Sequence, residues 1–147
     1  MIITSPVFEN DGMIPKKYTC DGEGINPEFQ IQNIPGEAKS LALIMYDPDA
    51  PMAGGFTHWV VWNIDPKTMI IKEESIPSGS SQGENSAGTI AYIAPCPHQG
   101  MHHYFFYLYA LNDVINLPSG ALVVNVKEEI EKYLITKAEL MGRYQRE

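Results

Sequence analysis

Arginine is absent from the first 142 residues of this 147-residue chain, and Arg143 and Arg146 fall within the last five. A bidentate guanidinium fork for phosphate or carboxylate is therefore missing from the body of the protein, and any anion held there must rest on histidine, hydroxyl or backbone donors. Positive charge is scarce overall: ten Lys and Arg against 18 Asp and Glu give a net charge of −8. Such a surface repels nucleic acid and anionic membranes, so neither is expected as a partner. The acid excess lies upstream, because residues 1–126 carry five basic and 13 acidic side chains whereas residues 127–147 carry five of each. Long apolar runs are lacking too. The longest, Tyr104–Leu111, has eight residues, far below the roughly 18–20 that span a bilayer. The opening MIITSPVFENDG has no basic segment followed by an apolar one, and a cytoplasmic protein is the expectation. No Gly-rich phosphate fingerprint is present. Two cysteines, Cys20 and Cys96, are too few for a disulfide scaffold and read as two thiols in a reducing cytosol. Their spacing leaves open whether they meet in space.

What the chain does have is 44% hydrophobic and 19% charged residues, the balance of an ordinary globular protein. Its length and the absence of linker-like composition or internal repeats point to one domain over residues 1–147. Gly and Pro punctuate the first 120 residues, and the segments between them are short and rich in β-branched and aromatic residues. Leu41–Tyr46, Thr57–Ile64, Thr89–Ile93 and His102–Leu111 read as strands, the last with five aromatics in the six positions from Tyr104 to Tyr109. Ser75–Gly88 is small and polar and reads as a long surface loop. Val123, Val126, Ile130, Tyr133 and Leu134 recur at helical spacing among charged residues, which predicts an amphipathic helix over about 121–133. Residues 136–141 fit either its continuation or a last short strand. Strands without alternating helices, then one late helix, predict a mainly β fold: an antiparallel sandwich with one or two peripheral helices.

All four histidines, His58, His98, His102 and His103, lie between positions 58 and 103. Alternate strand residues share a face, so His58 is expected to project with Val60, Trp62 and Ile64, and His102 with Tyr104, Phe106 and Leu108. Each histidine would then head an apolar face, as at the rim of a pocket; two strand-end histidines bonded to loops is the plainer alternative. Asp47 and Asp49 follow the first long strand in a turn stiffened by Pro48 and Pro51. Asp49 reads as a turn cap, while Asp47 is equally a cap or a site carboxylate. Pro95-Cys96-Pro97 is a second stiff segment. His98, His102, His58, Asp47 and Cys96 are enough ligands for zinc, although prolines and Gly100 argue against the helix that would align His98 with His102. A Cys96 nucleophile would sit between two prolines, an odd setting for an activated thiol.

Several segments, taken together and in order, resemble the phosphatidylethanolamine-binding protein family, in particular its prokaryotic Raf kinase inhibitor-like branch. They are Lys39-Ser-Leu-Ala-Leu-Ile, Asp47-Pro-Asp-Ala-Pro51, Thr57-His-Trp-Val-Val-Trp-Asn-Ile64, Pro95-Cys-Pro97 and Gly100-Met-His-His-Tyr-Phe-Phe-Tyr-Leu-Tyr-Ala-Leu111. Tyr18-Thr-Cys-Asp-Gly22 and Ala138-Glu-Leu-Met-Gly-Arg-Tyr144 extend the likeness over nearly the whole chain. The resemblance implies an antiparallel Greek-key β-sandwich with a small pocket for phosphate, phosphoryl head groups or phosphorylated side chains. It implies a ligand-binding set of Asp47, His58, Pro97, His102 and Tyr104, with Cys96 and Trp59 nearby. It further implies a non-catalytic protein without cofactor or metal that modulates a kinase or serine protease, with a homodimer left open. A hydrolase using the same Asp and His residues, and an inhibitor acting through its loop surface alone, are the alternatives. Ala94, where the family usually has glycine, and His98, where a second proline often follows, alter the pocket wall. Within such a site Asp47 would orient a histidine or favour its cationic form.

Overall fold

In a computed structural model describing residues 1–147, nine strands and one α-helix form two sheets and a covering layer. The strands are β1 (Ile2–Thr4), β2 (Gly12–Met13), β3 (Phe29–Gln32), β4 (Ser40–Asp47), β5 (Phe56–Ile64), β6 (Ile70–Ile71), β7 (Ser81–Gln82), β8 (His102–Leu111) and β9 (Leu134–Tyr144); the helix α1 is Val123–Tyr133. The larger sheet has the order β2-β9-β8-β4-β5-β7 and the smaller β1-β3-β6, and every pairing is antiparallel except β2 with β9. The spatial order β8-β4-β5-β7, in which β8 returns beside β4, is that of a Greek key.

The main core lies between the sheets. Phe29, Ile31 and Ile71 from the small sheet meet Leu41, Leu43, Met45, Trp59, Val61, Phe106 and Leu108 from the large one. On the other face α1 sets Val126 and Ile130 against Ala42, Ile44, Val60, Trp62 and Leu111. Each of those two helix side chains, fully removed from water, contributes roughly 1.5–3 kcal/mol. Strand β4 is thus covered on both faces, which is why its sequence is a continuous apolar run rather than an alternating one.

Four expectations are corrected. Thr89–Ile93 is not a strand: Asn85, buried, organises it instead, donating from Nδ2 to Thr89 Oγ1 (2.7 Å) and to the Ala91 carbonyl (2.8 Å) and accepting the Thr89 N–H at Oδ1 (3.1 Å). A side chain that supplies these bonds replaces the ladder a strand would need. Ser75–Gly88 is not wholly a surface loop, since β7 pairs with Val61 and Trp62 and Gly83 is buried behind it. A Cβ at Gly83 would stand 2.8 Å from the Ala121 carbonyl oxygen, so only glycine lets these backbones approach. The residues after α1 turn at Leu134 into β9, an eleven-residue strand, much longer than a closing stub.

The fourth correction concerns the faces of β5. Met45 pairs with Trp59 and Tyr46 with Thr57, which leaves His58 as an extra, unopposed residue: a β-bulge. A second irregularity follows where Leu41 pairs with Ile64 but Leu43 with Val61, and there Asn63 takes φ 55. The bulges split the face expected from strict alternation. Val60 and Trp62 turn toward α1, Ile64 joins the main core, and His58 sits against Phe56 and Tyr104.

Candidate functional site

The backbone pairing of β4 with β8 ends at Tyr46 and Phe105. Beyond that point two aspartates continue the connection through their side chains. Asp47, at the end of β4, accepts the Asp49 N–H at Oδ1 (2.8 Å) and His102 Nδ1–H at Oδ2 (2.7 Å). Asp49, two residues on, accepts both the His103 backbone N–H (2.8 Å) and its Nδ1–H (2.7 Å) at Oδ2. The turn that presents them is tight. At Gly55, where φ is +71, a Cβ would meet the Tyr46 hydroxyl at 2.5 Å and the Asp47 carbonyl at 2.7 Å. Asp47 therefore caps its own turn and holds a histidine at once, and Asp49 holds a histidine rather than acting as the turn cap.

These elements open on a cavity of about 640 Å³. Asp47, His58, Cys96, Pro97, His102 and Tyr104 line it, together with Asp49, His98 and Gln99 and an apolar wall including Met52, Phe56 and Ile93. Trp59 is the exception among the expected set. The bulge that brings His58 to the cavity sends Trp59 into the core, where its Nε1–H donates to Gln82 Oε1 (2.7 Å). Phe56 and Ile93 were not anticipated. Phe56 stands two positions before His58 at the start of the same strand, so a period of two offered a signal for it; Ile93, which also gives its carbonyl to His58, lies in a loop and had none.

The polar atoms differ in what they can do. His58 Nδ1 lies 2.8 Å from the Ile93 carbonyl oxygen, which only accepts, so this nitrogen carries the proton. His102 Nδ1 faces a carboxylate. In both rings Nε2 has no protein partner and stays open to the cavity, and the Tyr104 hydroxyl is likewise unbonded. The Tyr104 ring lies 5.3 Å from that of His58 and 6.3 Å from that of His102, so the three tips border one space. Burial drives the His58 pKa down, against the opposing pull of the Ile93 bond and the Asp47 charge. Burial, reinforced by Asp47 and Asp49, raises the Tyr104 phenol, which keeps it a neutral donor. Partial burial works against ionisation of Asp49, yet the two His103 hydrogen bonds outweigh it and hold the carboxyl below its ordinary value.

Cys96 is not a thiol. It forms a disulfide with Cys20, 76 positions away, and the Cys20 N–H donates to the Pro95 carbonyl (3.0 Å). The reading of two thiols is overturned because two loops remote in sequence pack side by side, a contact that spacing along the chain cannot report. The bond fastens the Pro95–Pro97 wall of the cavity, and a loop of this length contributes about 4.5 kcal/mol by the chain-entropy argument. With the sulfur so engaged, Cys96 supplies shape to the site, and no three His, Cys, Asp or Glu side chains are grouped as metal ligands. No helix is long and apolar enough to cross a membrane.

Comparison with known proteins identifies the family and the fold. Residues 4–145 match the family model described as phosphatidylethanolamine-binding protein. A "UPF0098 protein" of Methanothermobacter thermautotrophicus is 46% identical over 99% of this chain and 99% of its own length. The crystal structure of a phosphatidylethanolamine-binding protein homologue from Chlamydia trachomatis superposes with a TM-score of 0.95 at 39% identity, covering 99% of this chain and 97% of that one. At the level of fold alone, a carboxypeptidase Y inhibitor solved in complex with its cognate proteinase is similar, with a TM-score of 0.57 at 20% identity over 99% of this chain and 83% of the inhibitor. The chain belongs to the phosphatidylethanolamine-binding protein family.

Proposed function

We propose that this chain is a non-catalytic binding protein whose cavity takes the oxyanion head of a small phosphoryl ligand. The observation that carries this reading is the Asp47–His102 pair. With Nδ1–H committed to the buried carboxylate at 2.7 Å, a doubly protonated His102 forms an ion pair with Asp47 and points a second N–H, at Nε2, into the cavity beside the Tyr104 hydroxyl. Two donors then converge without any arginine. Phe56, Met52 and Ile93 offer apolar contact to the rest of the ligand. The one cysteine on the wall is tied up in a disulfide, so nothing there supplies a thiolate nucleophile. Because the chain carries −8 overall, local donors must hold the anion against the global field, and binding of free phosphate should be weak and salt-insensitive compared with a basic site.

Calorimetric titration with O-phosphorylethanolamine tests the reading. Saturable one-to-one binding that is lost in His102→Ala and weakened several-fold in Tyr104→Phe is expected. Binding that survives His102→Ala unchanged would place the ligand elsewhere.

A further inference from the structure

His58 and His102 border the same cavity but are anchored differently, and the difference fixes what a ligand must bring. His102 is anchored by a carboxylate, whereas His58 is anchored by the neutral carbonyl of Ile93. The Ile93 carbonyl settles the tautomer: Nδ1 holds the proton, and in the neutral ring Nε2 presents a lone pair to the cavity. Charging this ring is opposed by its position, buried between Phe56 at 4.6 Å and Tyr104 at 5.3 Å and close enough to His102 to feel its charge. The other titratable groups lining the cavity are Asp47, Asp49, His98 and Tyr104, and of these Asp47 favours a cationic His58. With His102 doubly protonated against Asp47, as in the reading above, one side of the site donates and the other accepts.

We propose that His58 is a specificity-determining acceptor, so that the cavity selects an oxyanion that carries a proton of its own, a singly protonated phosphate or phosphate monoester, over one that carries none. This rests on the oxyanion reading above and adds a requirement to it. A phosphate monoester keeps about one-tenth of its population as the monoanion at pH 7 and about half at pH 6, since its second ionisation falls near pH 6. Its P–OH can donate to His58 Nε2 while its remaining oxygens accept from His102 and Tyr104. Sulfate has the same shape and no proton at that pH. It would set an oxygen lone pair against the His58 lone pair, or require the buried ring to charge.

The test is a paired titration of the intact, oxidised protein with inorganic phosphate and inorganic sulfate near neutral pH and at matched ionic strength. Phosphate is expected to bind at least about tenfold more tightly, the factor that follows from one buried acceptor left facing an acceptor. Acidification should strengthen sulfate binding more than phosphate binding, because only sulfate depends on His58 taking up a proton. In His58→Gln, whose amide can donate, the preference should collapse toward parity. Should that variant fail to fold, the ring nitrogen shifts of wild-type His58 serve instead: Nε2 should keep an unprotonated, hydrogen-bond-accepting signature in the phosphate complex. Equal affinity for the two anions overturns the selection and leaves the oxyanion site standing. Failure of both to bind overturns the two together.

Discussion

Two Asp–His pairs lie side by side in this molecule, with the same 2.7 Å separation between Nδ1 and the carboxylate, yet they are placed in different media. In Asp47–His102 the side chains are 4% and 10% exposed; in Asp49–His103 they are 39% and 40% exposed. The first pair is removed from water, so losing one partner strands the other, whereas the second is screened and solvated. Equal geometry does not mean equal consequence. Medium, more than distance, makes Asp47–His102 a candidate for binding chemistry and Asp49–His103 a clasp between the β4–β5 turn and the first residues of β8.

Removing the buried carboxylate should have the largest effect. Asp47→Ala is expected to cost about 3–5 kcal/mol in denaturant unfolding, since it leaves His102 unpaired and the Asp49 N–H without its acceptor. A loss below about 1 kcal/mol would mean that the pair is not buried as described. A smaller effect comes from His58. Its folded pKa is depressed, so the unfolded chain binds the extra proton first as pH falls below the ordinary histidine value of 6.5. Stability should decline on acidification through that value by at most about 1.4 kcal/mol per pH unit and level off once the folded ring also protonates. The same scan on His58→Gln should lose that limb. The smallest effect is expected at the exposed pair: Asp49→Asn should change stability by about 0–1 kcal/mol. Because the folded Asp49 pKa is lowered, what it contributes is present above the ordinary carboxylate range and is lost as pH falls through the folded value.

Strand β8 was legible throughout, and β5 was not. From His102 to Ala110 the register runs without a shift, so alternation correctly groups His102 with Tyr104, Phe106 and Leu108 among its buried residues. In β5 the same rule fails twice, because a bulge adds one residue at His58 and another near Asn63, and each one-residue slip turns the following side chains to the other face. Nothing local in Thr57-His-Trp marks the bulge, which is defined only by how β5 pairs with β4. The helix was readable from its apolar spacing, since Val126 and Ile130 are its buried residues. The Cys20–Cys96 bond and the Ile93 carbonyl were beyond reach for a related reason: both depend on loops whose path is set by packing with distant segments.

The most direct test of the central claim uses this comparison as its own control. Histidine ring resonances of the wild-type protein should be followed while inorganic phosphate is added to millimolar concentration near neutral pH. The His102 and His58 signals should move together along one saturation curve, while His103, bonded to Asp49 and outside the set of residues lining the cavity, should stay in place. Stationary His102 and His58 signals, or a shift of His103 as large as theirs, would contradict the account.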